Sequence, residues 1–137
     1  MLFHSTRGGD KDRTFEDILM QGLACDGGLF IPDFWPQVDL ESLSTKTSFI
    51  DVAKEVVPLF TSSSFSKQEV LRILDNTWHD FDHKDIAPIK NLDDKTSILE
   101  LFHGPTAAFK DFGLQLAAAF FNEVLAKNKK TAVVLGA

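Results

Sequence analysis

Residues 100–113 read ELFHGPTAAFKDFG: an apolar run ends, a Gly-Pro pair turns the chain, and a lone lysine, Lys110, stands between Phe109 and Phe112. The residues on either side decide how this stretch folds. Upstream, Ser97–Phe102 reads as a strand, and downstream, Ala107 to about Lys127 reads as one long helix. A second apolar run, Thr131–Gly136, reads as another strand, so the pattern predicts a β-α-β unit. The run TAVVLGA is continuous rather than alternating, as in a parallel strand covered on both faces. Phe112, Leu114, Leu116, Phe120, Phe121, Val124 and Leu125, together with a run of alanines, leave the intervening helix almost no polar side. Such a helix is expected inside something large. An apolar strand with no charge or proline guarding its edge leads us to expect a fragment of a longer polypeptide.

Upstream of residue 93 the pattern is different. Leu2–Thr6 reads as a strand, Gly8, Gly9 and Asp10 as a turn, and the segment after Thr14 as a helix with Phe15, Ile18, Leu19, Gly22 and Leu23 on one face. CDGGLFIP at 25–32 breaks that helix and restarts a short strand ending at Pro32. A second helix is expected from Ser48 through Val56 and should stop before Pro58, because proline disfavours helix in the residue before it. A third opens on the Ser66–Glu69 capping box and carries the stripe Val70, Ile73, Leu74, Thr77, Trp78 and Phe81. The fold expected is α/β: a helical amino-terminal domain with short strands over 1–92, then the start of a second domain over 93–137.

Composition narrows the function. The chain has 137 residues, 44% of them hydrophobic, enough for a core. Its net charge is -6 with the positive charges scattered, so no basic face is offered to nucleic acid. The amino terminus lacks a basic segment followed by an apolar one, and no apolar stretch approaches the roughly 20 residues of a membrane helix. The single cysteine, Cys25, cannot form an internal disulfide. A cytoplasmic, reducing location fits best, with no membrane partner.

In a β-α-β unit ligands gather where a strand's carboxyl end feeds the next helix, and Lys110 falls there. Gly104 and Pro105 make the turn, and Thr106 is the expected helix cap. An amine in the first helical turn meets the positive end of the helix dipole, and Phe109 and Phe112 can limit its hydration. Both effects disfavour the ammonium form, and a neutral amine can attack an aldehyde, as a Schiff base with pyridoxal phosphate requires. Phe109 is a flat neighbour for the cofactor ring. The plainer alternative is a first-turn lysine whose amine reaches water.

The same residues carry a resemblance. ELFHGPTAAFKDFG is similar to the signature of the threonine synthase family, pyridoxal phosphate enzymes of fold type II, and STRG at 5–8 and DGGLFIP at 26–32 resemble that family in the same order. The likeness runs from about Leu2 to Ala137. It implies that 93–137 begins the first β-α-β unit of the cofactor domain, with Lys110 the Schiff-base lysine and general base and acid, and Phe109 beside the ring. It implies conversion of O-phospho-L-homoserine and water to L-threonine and phosphate, the last step of threonine biosynthesis. Thr106, His103 and Asp111 are nearby polar candidates for substrate binding. Arg7 could meet a substrate phosphate or carboxylate, or be a surface residue. Family members continue past a strand like TAVVLGA into a Ser-Gly-Asp-Thr-Gly loop and a large second domain. The remaining carboxy-terminal part of the polypeptide is therefore the expected partner, and this chain alone is expected to be inactive.

Two alternatives stay open: a threonine synthase-like phospho-lyase, and a non-catalytic binding or interaction module. No metal site is expected. His79 and His83 have a spacing that can chelate zinc on a helix but read as a solvated helix end. Cys25 has no histidine near it in sequence to make it a nucleophile.

Overall fold

The computed structural model describes residues 1–46 and 48–135. The chain opens with β1 (Phe3–Ser5), α1 (Phe15–Gln21) and β2 (Phe30–Pro32). β1 and β2 pair antiparallel, with Phe3 opposite Pro32 and Ser5 opposite Phe30. Thr14 and Asp17 form a reciprocal capping box on α1, and Gly22, at a φ of 77°, ends it. The strands are shorter than the sequence pattern suggests, because only three residue pairs are brought into register.

Four helices build the body: α2 (Leu40–Ser44), α3 (Phe49–Thr61), α4 (Lys67–Asp75) and, after a hairpin, α5 (Lys110–Lys127). α2, capped by Asp39, was not expected from the sequence. Ser48 caps α3 as expected, but Pro58 lies inside that helix instead of ending it. Proline removes one intrahelical hydrogen bond. The last turn persists because Thr61 is buried, its hydroxyl donates to the Val57 carbonyl at 3.2 Å, and its own carbonyl accepts the Ser64 and Phe65 N–H groups.

α4 begins on its Ser66–Glu69 box and ends earlier than its apolar stripe. Asn76 caps the helix, and beyond it Trp78 takes a positive φ of 64°, with Thr77 and Trp78 both kept in the interior. The core joins Ala53 of α3, Val70, Ile73 and Leu74 of α4, and Phe120 and Val124 of α5. Phe120 sets its ring edge-on to Phe15 and tilted to Phe65, both at 5.1 Å between centroids. These contacts hold α5 on the helical layer.

The second half is a mixed α/β segment whose strands differ from the expected pairing. β3 (Ile89–Asn91) and β4 (Ser97–Leu99) form an antiparallel hairpin, with Ile89 opposite Leu99. β4 therefore stops short of Phe102, and its partner is the preceding strand. Residues 131–135 form no strand ladder, and Gly136 lies outside the described residues. Of the expected β-α-β order, β4, the turn and α5 are present, and no strand follows α5 among the described residues. α5 buries Phe120 and Val124 on one side, while Leu114 on another is 64% exposed. The all-round burial expected of this helix is thus met on one side only. Among the described residues no helix is long and apolar enough to cross a membrane.

Candidate active site

The connection from β4 to α5 is built around one carboxylate. Asp111, in the first turn of α5, is 6% exposed. Its Oδ2 accepts the Thr106 backbone N–H at 2.9 Å and its Oδ1 accepts the Thr106 hydroxyl at 2.7 Å. A carboxylate there also faces the positive end of the helix dipole. Gly104 lets the turn approach so closely: a Cβ at that position would lie 2.6 Å from the Asp111 Cβ. Ala107 adopts a φ of 56°, the left-handed region that costs a residue with a Cβ about 1–2 kcal/mol. This conformation corrects the expected helix start: α5 begins at Lys110 instead of Ala107, and Thr106 closes the turn on Asp111 rather than capping the helix.

Lys110 is the first residue of α5, as its place in the sequence suggested. Its Nζ lies 4.7 Å from the centroid of the Phe109 ring. Among the described residues it makes no salt bridge within 4.0 Å. The amine stands at an open apolar depression of about 550 Å³ lined by Leu101, Phe109, Lys110, Phe112, Gly113 and Leu114. The shelter expected from two phenylalanines is only partly present. Phe109 is 63% exposed, and the Phe112 ring packs against Phe49 and Phe81 at 5.4 and 4.9 Å. The Phe112 carbonyl also accepts the Trp78 indole N–H at 3.0 Å, which ties the first turn of α5 to the helical body.

His103, just before Gly104, is held from both sides. Its Nδ1 is 2.9 Å from Asp82 Oδ1 and its Nε2 is 2.8 Å from Glu100 Oε2. Its carbonyl also accepts the Asp82 N–H at 3.0 Å. The Glu100 hydrogen bond is the largest cause raising the His103 pKa above its ordinary value, opposed by burial and assisted by Asp82. Glu100 is visible in the quoted stretch three residues before His103. Asp82, far away in sequence, carries no local signal.

Arg7 belongs to a different cluster. Its Nη1 donates to the Asp26 carbonyl at 2.9 Å, in a loop where Asp26 accepts the Ser5 hydroxyl at 2.7 Å and the Gly9 and Gly28 N–H groups at 2.7 and 2.9 Å. The Ser5 hydroxyl is the leading reason the Asp26 carboxyl sits below its usual range. The structure therefore brings Thr106, Phe109, Lys110 and Asp111 into one turn with His103 beside it, and Arg7 makes no hydrogen bond to that turn. His79 and His83 lie beyond the end of α4, so they do not share a helix face. His79 Nδ1 is on the Asn76 carbonyl at 3.0 Å, and His83 Nδ1 accepts the Asp85 N–H at 3.1 Å.

A strand, a closed turn and a helix opened by a lysine make this part of the chain an α/β module. The chain belongs to the threonine synthase amino-terminal family, whose model, described as "Threonine synthase N terminus", matches residues 2–78. It is 40% identical over 139 residues to threonine synthase of Pseudomonas aeruginosa, covering 100% of this chain and 30% of that protein. It is 36% identical to threonine synthase-like 2 of Xenopus laevis, covering 98% of this chain and 29% of that one. Among solved structures, PLP-bound threonine synthase from Brucella melitensis superposes with a TM-score of 0.86 at 36% identity, over 93% of this chain and 28% of that chain. The chain thus spans under a third of the length of each of these proteins.

Proposed function

We propose that this chain forms the amino-terminal part of a threonine synthase site, with Lys110 as the residue that holds pyridoxal phosphate covalently and moves protons on the substrate. The observation that carries the reading is the position of Lys110 Nζ: unpaired, over the Phe109 ring, at the mouth of an apolar depression. The residues fit the cofactor's aldehyde and ring, since an amine and a flat apolar wall stand together. They do not hold its phosphate, because the lining contains one cation, Lys110 itself. In this reading the phosphate anchor and the partner of the ring nitrogen lie outside this sequence, and the chain alone does not turn over. Residues 1–92 are the amino-terminal domain and 93–137 the start of the cofactor domain.

The reaction converts O-phospho-L-homoserine and water to L-threonine and phosphate. When bound, the cofactor supplies an electron sink for carbanion charge. Once the substrate amine has displaced it, the free Lys110 Nζ would remove protons at Cα and Cβ and return them at Cγ, after phosphate leaves, and at Cα, after the hydroxyl of water adds at Cβ. Phe109 would offer its flat face to the cofactor ring. Thr106 and Asp111 hold the turn from which Lys110 projects, and Arg7 has no part in this assignment.

Borohydride trapping tests the reading. The complete polypeptide bearing this sequence is incubated with pyridoxal phosphate, reduced and digested, and the phosphopyridoxyl group is located by mass spectrometry. An adduct confined to Lys110 and lost in Lys110→Arg supports the assignment; labelling scattered over surface lysines removes it. The sequence leaves one second reading open, a threonine synthase-like lyase that eliminates phosphate without adding water. Product analysis separates the two, with threonine in the first case and a 2-oxo acid plus ammonia in the second.

A further inference from the structure

We propose that His103 is a positioning residue for Lys110, and that its doubly hydrogen-bonded imidazolium, bridging Glu100 and Asp82, fixes the Gly104–Lys110 turn against the loop that follows α4. The inference rests on Lys110 being the cofactor amine. Three links converge on one residue: Nε2 to Glu100 at 2.8 Å, Nδ1 to Asp82 at 2.9 Å, and the His103 carbonyl to the Asp82 N–H at 3.0 Å. Glu100 is itself tied back, its N–H donating to the Pro88 carbonyl at 3.0 Å. The Phe102 and His83 rings lie 4.6 and 4.9 Å from the imidazole. The next residue is Gly104, whose close approach to Asp111 sets the direction in which Lys110 leaves the turn.

The two carboxylates require a particular protonation state. Both are acceptors, so both links can be made only when each ring nitrogen carries a proton. A neutral imidazole has one N–H, and its other nitrogen would then turn a lone pair toward a carboxylate. One link is lost, and the turn is released on that side. The charged and titratable groups around the ring are Glu100 from the segment after β4, and Asp82 and His83 from the loop after α4. His83 is in turn 3.9 Å from Asp85. The raised pKa of His103, with Glu100 its first cause, agrees with this geometry. Holding the turn therefore extends above the pH at which an ordinary histidine, near 6.5, loses its proton.

The test is a pH profile of Lys110 labelling in the complete polypeptide. Borohydride trapping with pyridoxal phosphate is run from pH 6 to 9 on the wild type, His103→Gln and Glu100→Gln. The readout is adduct at Lys110 relative to adduct at surface lysines, and the His103 ring protons are titrated by NMR. This ratio cancels the general rise in lysine reactivity with pH. In the wild type it is expected to fall several-fold through the His103 titration. In Glu100→Gln both the fall and the NMR midpoint move down together by about one pH unit. In His103→Gln the ratio is lower at pH 6 and flat. Selective Lys110 labelling with the same profile in all three proteins would overturn the positioning role while leaving the cofactor assignment intact. Absence of selective Lys110 labelling in the wild type at every pH would overturn the cofactor assignment instead. Should Glu100→Gln not fold, the exposed partner Asp82 provides the same comparison as Asp82→Asn, with the same downward shift expected.

Discussion

Asp111 and Gly104 act as a pair. The carboxylate of Asp111 replaces two hydrogen-bond partners that Thr106 would otherwise seek in water, and it does so nearly buried. Such an arrangement is stable only with every polar atom satisfied, and no buried side-chain nitrogen or oxygen among the described residues lacks a partner. The pair predicts the effect of one methyl group. In Gly104→Ala the new Cβ would meet the Asp111 Cβ at 2.6 Å, close to the backbone, where no rotamer change relieves the clash. The turn must open and Asp111 must leave Thr106. The expected cost is about 1–3 kcal/mol, the range of overpacking changes, read as a lower urea midpoint. Lys110 labelling should lose selectivity in the same variant. An unchanged midpoint would show that the close approach is not required.

The helices show which parts of a structure are written locally. Ser66 and Glu69 satisfy each other's backbone N–H groups, with Glu69 Oε2 accepting the Ser66 N–H at 2.7 Å, and these contacts span only three residues. The sequence pattern alone therefore locates the start of α4, as it does the Thr14 and Ser48 caps. Ser66→Ala is expected to cost about 1 kcal/mol, the usual value of a lost cap. Thermal or urea unfolding measures it, and a loss indistinguishable from zero would show that α4 is held by packing alone. The end of α4 is not legible, because the expected apolar stripe continues through Trp78 and Phe81 while the helix ends at Asp75 with Asn76 as its cap. The hairpin is hidden in part. β4 falls within the strand expected from Ser97, but β3, exposed and only three residues long, carries no apolar pattern, so the antiparallel pairing between them is not legible. The placement of Lys110 in the first turn of a helix is legible from its position after Gly-Pro. The dependence of its turn on Asp82 is not, since that contact exists only once the loop after α4 is folded back.

At the scale of the molecule, ionisable groups work in opposite directions at the two ends of the pH range. Asp10 accepts the Cys25 N–H at 2.7 Å and hydrogen bonds from Gln21 and Arg13, and its carboxyl is held well below the usual carboxylate range, chiefly by the Cys25 N–H. Asp26 is lowered as well, first by the Ser5 hydroxyl. A carboxyl lowered in the folded state stabilises the chain above its unfolded pKa of about 3.9, and that contribution disappears as pH falls through the folded value. His103 has the opposite sign. Its raised pKa contributes fully below the unfolded value of about 6.5 and is lost as pH rises through the folded one. These groups together place their joint maximum between about pH 4 and 6.5. Urea midpoints measured across pH should therefore fall on both sides. Asp10→Asn should make the acid limb shallower, with Asp26 and the other lowered carboxyls still contributing, and leave the upper one, whereas His103→Gln should flatten the upper limb and leave the acid one. If His103→Gln left the upper limb intact, its imidazolium would not be what ties the turn before Lys110 to the helical body, and the fall would belong to another titrating group.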